Sequence, residues 1–204
     1  NVNGSGSASA NEMFARAIMR MGIPMSPRNV FPSNIQGLPT WYEIRVTEAG
    51  HLGARGGTDI MVAMNPQTFN ADVAAIEPDG YLVYDSTRAM PPGRMRTDIN
   101  VIGIPLTRIC NTEYTDPRQR QLFKNIICIG ALSALLDMDL AELEKLVGEQ
   151  YKGKEKLIGP NVHALQLGRA YAAANFKCPL GLRLKRTDKV GDRILLEGNA
   201  AAAL

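Results

Sequence analysis

Asn1-Val2-Asn3-Gly4-Ser5-Gly6-Ser7-Ala8-Ser9 opens the chain and runs straight into a segment where Ala10, Met13, Phe14, Ala17, Ile18 and Met21 recur at i, i+3, i+4, i+7, i+8 and i+11. That spacing puts one apolar stripe on a helix, and Gly22 stops it. Glycines let a backbone approach a bulky anion without Cβ clashes, and the free N–H groups and dipole of a helix start hold negative charge. A glycine-rich turn of this kind ordinarily follows a β-strand, so a first strand is expected ahead of Asn1, cut off from this sequence. The other end carries Asn199, a good N-cap, before an alanine run that reads as a helix begun and not finished. Both ends lead to the expectation that the sequence is a piece of a longer polypeptide.

Working outward, Met25 to Phe31 reads as a short strand, at an edge because of Pro27. Trp41 to Thr47 alternates at period 2, as a half-buried strand does. Residues 59–64, 80–84 and 99–104 are short apolar runs of the buried-strand type. Helical patterns cover 67–76, 117–136 with Pro117 in the first turn, 139–150 with Asp139 and Glu142 as a capping pair, and a last helix capped by Asn161. The segment 180–197 is charged and reads as a connector or an edge hairpin. Interleaved strands and helices predict an α/β fold: an open, largely parallel (mixed) sheet with helices on both faces, a Rossmann-like three-layer sandwich.

Composition narrows the classes. With 45% hydrophobic and 21% charged residues, the 204-residue chain is an ordinary globular protein, not a disordered, collagenous or coiled-coil one. No apolar run approaches the roughly 18–20 residues of a membrane span. A net charge of +3 favours an anionic ligand and is too weak to argue for nucleic acid. Cys110, Cys128 and Cys178 are odd in number and widely spaced, which suits neither a disulfide framework nor a zinc site and favours a reducing compartment.

The glycine turn is the central candidate. Ser9 stands where a dinucleotide fingerprint has its third glycine, and Arg28, Asn29, Ser33 and Asn34 stand where a ribose-binding acid belongs, so NAD is disfavoured. No Gly-Lys-Ser/Thr follows, so it is no P-loop. A phosphate-bearing ligand and a tight turn that binds nothing both remain open. A second polar loop, Asn34-Ile35-Gln36-Gly37-Leu38-Pro39, is expected beside the first at the carboxyl edge of the sheet, where ligands bind. Arg55, in a Gly-dense loop, either reaches a phosphate or sits in a plain turn. His51 and His163 have no partner at metal or catalytic spacing. The acids 137–144 read as a helix cap and its solvated face. The lysines 152–156 and the basic residues 183–189 read as exposed edges.

The glycine turn, the Ser33-Asn34-Ile35-Gln36-Gly37 loop, the run Phe123-Lys124-Asn125-Ile126-Ile127-Cys128-Ile129-Gly130-Ala131-Leu132 and the tail Leu196-Glu197-Gly198-Asn199-Ala200 come in one order. Together they resemble the gamma domain, followed by the start of the alpha domain, of the fused large subunit of 2-oxoacid:ferredoxin oxidoreductases, most like the 2-oxoglutarate type. The resemblance implies a gamma domain over 1–180, with a connector and the start of the pyrimidine-binding alpha domain over 181–204. It implies an enzyme that oxidatively decarboxylates a 2-oxoacid to acyl-CoA with reduction of ferredoxin, in which this domain positions coenzyme A and docks subunits. A structural domain without ligand and a pyruvate-type relative are its alternatives.

The sites implied are Gly4, Ser5, Gly6, Ser7, Ser33, Asn34, Gln36, Gly37 and Asn125 around coenzyme A, with no catalytic or metal-ligating residue in this segment. Asn125 has a second reading, an amide bonded to a neighbouring loop backbone. Thiamine diphosphate, Mg and [4Fe-4S] are implied in other domains or subunits. The implied partners are the alpha domain, a thiamine- and iron–sulfur-bearing beta subunit and ferredoxin, in a cytoplasmic dimer of heterodimers, with no nucleic acid and no membrane. The chain departs from the family pattern where relatives carry Lys in the second loop, and where their glycines are denser than Ser7-Ala8-Ser9.

Overall fold

The computed structural model describes residues 1–2, 4–31, 35, 37–51, 53, 55–90, 96–187, 190 and 202–203. Helix α1 (Ser7–Arg20) buries the stripe read from its periodicity, including Ala10, Met13, Phe14, Ala17 and Ile18. Two strands follow, β1 (Met25–Val30) and β2 (Trp41–Val46), paired antiparallel. Then come β3 (Thr58–Ala63), α2 (Phe69–Ala74), β4 (Ile76–Asp85) and β5 (Asn100–Ile104). These three strands form a parallel sheet in the order β3-β4-β5. Helices α3 (Leu106–Glu113), α4 (Pro117–Leu135), α5 (Leu140–Gln150) and α6 (Ile158–Asn175) follow.

Successive strand side chains point to opposite faces, and both faces of the parallel sheet are covered. Val83, Ile102 and Ile104 join the main core with α1, α4 and α6. Ala63 and Leu82 pack on the other side with Val73 of α2. This is the layered α/β arrangement the sequence predicts. Pro117 occupies the first turn of α4, whose start is capped by the Asp116 carboxylate accepting from the Arg118 N–H. Asp139 caps α5 in the same way, accepting from Ala141.

The densest packing is between α4 and α6. A methyl group at Gly130 would lie 2.0 Å from the Leu165 carbonyl oxygen, and one at Gly168 would lie 1.8 Å from that of Ile127. Two backbones this close require glycine at both crossing points.

The structure differs from the sequence reading at several points, among them the start of β4 at Ile76, where a helix to that residue is expected. Helix α3 was not expected; its N-terminal amide at Thr107 is held by Asp85 from the end of β4, a non-local partner that no local pattern reveals. Helix α6 starts at Ile158 after a 3₁₀ turn (Glu155–Leu157), so Asn161 lies inside it and donates back to the Leu157 carbonyl at 2.8 Å. Pro160 is tolerated because the first-turn amides of a helix have no intrahelical acceptor. Strand β3 is only half-buried along most of its length, not fully buried. The described residues 180–187 form no hairpin, so of the two readings, connector or edge hairpin, they fit the connector. Leu180, Leu184 and Thr187 donate their amides to the carbonyls of Leu135, Leu136 and Met21, lacing the ends of α4 and α1 together. Arg186 leaves the exposed basic run to pair with Asp139 at 3.0 Å and Glu142 at 2.9 Å.

Candidate functional site

The turn into α1 is built from two left-handed residues, Gly4 (φ 80°) and Gly6 (φ 76°). This conformation costs other L-residues about 1–2 kcal/mol, which explains the glycines without reference to a ligand. Ser5 is buried between them. Its hydroxyl lies 2.8 Å from the Val2 carbonyl and 3.1 Å from the Ser7 hydroxyl. Asn125 of α4 donates from Nδ2 to the Ser5 carbonyl at 2.9 Å, a buried bond. Ser5, Ser7 and Asn125 are thus brought together across the chain. What they do for one another is clear: Asn125 fastens the turn, as its second reading held.

No side chain caps the start of α1. Beside it lies a cavity of about 490 Å³ lined by Gly4, Gly6, Ser7, Ala8, Ser9, Asn29, Phe31 and Thr40. None of these lining residues is charged, so the uncapped amides and the helix dipole supply the local positive potential. The second loop meets the same cavity through its flanks. Phe31 enters it, Thr40 leaves it, and Pro39 is bridged to Val2. Gly37 is described and exposed, and it is not among the lining residues. Ser33, Asn34 and Gln36 lie outside the described residues. Asn29, Phe31 and Thr40 were not singled out as ligand contacts. Their only sequence signal is that they bracket the second loop.

A second polar cluster sits at the end of β4. Asp85 accepts from the Thr87 amide at 3.1 Å, the Thr87 hydroxyl at 2.7 Å, the Thr107 amide at 3.2 Å and the Thr107 hydroxyl, with Lys124 at 3.8 Å. Burial pushes its carboxyl upward, but the hydrogen bonds from Thr107 and Thr87 outweigh that and hold it below the ordinary carboxylate value. The carboxylate is committed to closing β4 and β5 onto α3.

Other candidates resolve simply. Arg55 pairs with Asp59 at 2.8 Å. His163 lies 3.5 Å from Glu113 on the surface. Burial pushes the thiols of Cys110 and Cys128 up to about 11 and about 12, so neither is poised as a nucleophile. No group of three or more His, Cys, Asp or Glu suited to a metal occurs among the described residues. No described helix is long and apolar enough to cross a membrane.

A parallel α/β layer with a glycine-rich helix start that no side chain caps, opening on a cavity whose lining residues are all uncharged, defines the class of fold and the candidate site. Residues 1–171 match the model of the pyruvate ferredoxin/flavodoxin oxidoreductase family, and the chain belongs to that family. It is similar to subunit alpha of 2-oxoacid:ferredoxin oxidoreductase 2 of Aeropyrum pernix, with 24% identity across 86% of this chain and 33% of that protein.

Among solved structures, it is similar to the 2-oxoglutarate:ferredoxin oxidoreductase of Magnetococcus marinus, a structure holding 2-oxoglutarate, coenzyme A and succinyl-CoA. There the TM-score is 0.83 at 24% identity, over 98% of this chain and 35% of that one. It also resembles the pyruvate oxidoreductase subunit PORC of Thermotoga maritima, with TM-score 0.66 and 21% identity over 83% of this chain and 92% of that one. The gamma subunit of a keto/oxoacid ferredoxin oxidoreductase from Geobacter sulfurreducens gives 0.63 and 20% over 84% and 95%. The chain therefore spans about a third of the longer relatives and nearly all of the two shorter subunits.

Proposed function

We propose that this chain is the gamma domain of a 2-oxoacid:ferredoxin oxidoreductase of the 2-oxoglutarate type, and that it holds coenzyme A at the turn into α1. The observation that carries this reading is the uncapped start of α1 facing a neutral cavity of about 490 Å³, within the roughly 300–1,000 Å³ of ordinary ligand sites. Coenzyme A needs donors for its phosphates and no ribose-binding carboxylate, and the lining residues meet both conditions. The bound coenzyme A of the Magnetococcus relative and the near-complete overlap with stand-alone subunits support the assignment.

In the complete enzyme, thiamine diphosphate with Mg and the [4Fe-4S] clusters, carried by other domains or a beta subunit, supply decarboxylation and single-electron transfer to ferredoxin. The part played by this chain is positioning. The amides at the start of α1 take the charged end of the carrier. Gly4 and Gly6 let the backbone approach it, and Asn125 keeps the turn from collapsing. Ser33, Asn34, Gln36 and Gly37 of the second loop are assigned to coenzyme A on the family resemblance alone, Gly37 lying outside the lining of this cavity. Holding the thiol near an acyl group made elsewhere converts a bimolecular encounter into a local one. The setting is cytoplasmic, with the following alpha domain, the beta subunit and ferredoxin as partners in a dimer of heterodimers.

A second reading has its own observation. The hydroxyl of Ser5 and the amide of Asn125 are spent on the turn itself, while Phe31, Leu38 and Leu122 stand exposed nearby. This favours a subunit-docking domain whose turn binds nothing. Calorimetric titration of the assembled enzyme separates the readings: heat with coenzyme A supports the first, heat with neither coenzyme A nor NAD the second, and heat with NAD alone overturns both. The Ala8→Asp variant sharpens the test. Its carboxylate in the first turn of α1 should stabilise the helix by about 0.3–1 kcal/mol while repelling the phosphates. A protein at least as stable as the parent, with coenzyme A affinity lowered about tenfold, is the expected result.

A further inference from the structure

The cavity at the turn has two unlike walls. One is the start of α1, which offers backbone amides and small side chains. The other is made by Asn29 and Phe31 at the end of β1, with Thr40 at the entry to β2. In an extended chain, residues i and i+2 point to the same side. Asn29 and Phe31 both line the cavity, and Val30 between them does not. The Thr40 hydroxyl donates to the Val30 carbonyl at 3.2 Å, which fixes the backbone that carries the pair. Among the described lining residues Phe31 alone is aromatic, and it is 54% exposed.

We propose that this second wall seats the adenine ring of the carrier, with Phe31 stacked on the face of the base and the Asn29 amide at its edge. The inference rests on the reading of the turn as a coenzyme A site, and it goes further by naming which part of the carrier stays there and which side chains select it. The thiol has to reach an acyl group made outside this chain. The pantetheine arm therefore leaves the cavity, and the nucleotide end is what the cavity keeps.

The chemistry of each wall matches one part of that end. Amides at a helix start suit phosphate oxygens and have nothing to offer the face of a base. A flat aromatic side chain suits another flat ring, because every base has a π-face to stack. The Asn29 side chain carries a donor and an acceptor on one planar group. Adenine shows the complementary pair, an amino donor beside a ring-nitrogen acceptor. A flexible aliphatic arm has no ring for Phe31 to stack on. With no charged residue in the lining, the neutral base meets no uncompensated charge.

Coenzyme A divides into two probes, adenosine 3′,5′-bisphosphate and 4′-phosphopantetheine, each titrated into the assembled enzyme beside the whole carrier. Phe31→Ala should weaken coenzyme A and the bisphosphate about tenfold or more, the scale of one base–aromatic stack, and leave phosphopantetheine within about twofold. In turnover, the KM for coenzyme A should rise with kcat unchanged. Phe31→Trp keeps a ring in place and should retain the affinity. Its added fluorescence should be quenched by the bisphosphate and not by phosphopantetheine, with Trp41 of the parent as the baseline. Phe31 is exposed, so neither change opens the core. Leu122→Ala removes another exposed apolar side chain, beside Gly6 but outside the lining, and should change none of the three affinities. Equal losses for the two probes, or a Leu122 variant as weak as the Phe31 variant, would overturn the proposal. Coenzyme A binding that Phe31→Ala leaves intact overturns it alone, with the reading of the turn still standing. No heat with coenzyme A in the parent enzyme overturns both.

Discussion

Two pairs of glycines do opposite work in this molecule. Gly130 and Gly168 lie where α4 and α6 cross, and an added methyl at either would meet backbone at 2.0 and 1.8 Å. Gly4 and Gly6 lie at the mouth of a cavity in the left-handed conformation. A methyl at Gly6 would meet only the Leu122 side chain, at 2.7 Å, and that side chain is 53% exposed and free to swing aside. The first pair is glycine because nothing else fits. The second is glycine because the chain must turn and leave its amides open. One is a demand of packing, the other of access.

The contrast is quantitative and can be broken. Gly168→Ala should be the most damaging change, because the Ile127 carbonyl cannot move without displacing α4. The expected loss is about 3 kcal/mol, read from the midpoint of urea unfolding at constant slope. A loss under about 0.5 kcal/mol would mean that the helices part easily and the contrast is false.

Next comes a test on polar groups, where Asp85 is spent on structure and the amides of α1 are not. Asp85→Asn should lower stability at neutral pH by about 2 kcal/mol, since hydrogen bonds to a charged acceptor are weakened and Lys124 loses its partner. Because the folded-state pKa is depressed, the carboxylate's contribution is fully present above the ordinary Asp value of 3.8 and is lost as pH falls through the lower folded value. The gap between parent and variant should therefore close in acid. A gap that stays constant from pH 7 to pH 3 would assign the loss to something other than charge.

Smallest in stability is Gly6→Ala, about 1–2 kcal/mol from the left-handed backbone. Its effect on coenzyme A titration should nevertheless exceed that of Gly168→Ala, whose site lies away from the cavity. If the two variants bind alike, the division between packing and access does not hold.

Much of the layered fold is legible because its signals are local. The 3.6-residue stripe of α1, the alternation of Trp41–Val46, Pro117 in the first turn of α4 and the cap at Asp139 each lie within a few residues of what they control. The features that escaped reading are those whose partners are distant in the chain. Helix α3 depends on a carboxylate 22 positions earlier. The half-buried state of β3 depends on an edge that pairs with no strand among the described residues, which no property of its own residues encodes. At the candidate site, the turn of Gly4, Ser5, Gly6 and Ser7 is legible as a turn into a helix from glycine and serine density. That Asn125 serves the turn follows from contact across 120 residues. Asn29 and Thr40 reach the cavity only because the second loop folds back on Val2.

The segment 180–187 carries a mechanical consequence. Thr187 donates its amide to Met21, and Arg186 grips the Arg20 carbonyl, both at the tail of α1. That helix is 14 residues long, a stiff rod of about 21 Å with the glycine turn at its other tip. Asn125 holds the turn at that tip, so the helix that presents the cavity mouth is pinned at both ends by residues far from it in the chain.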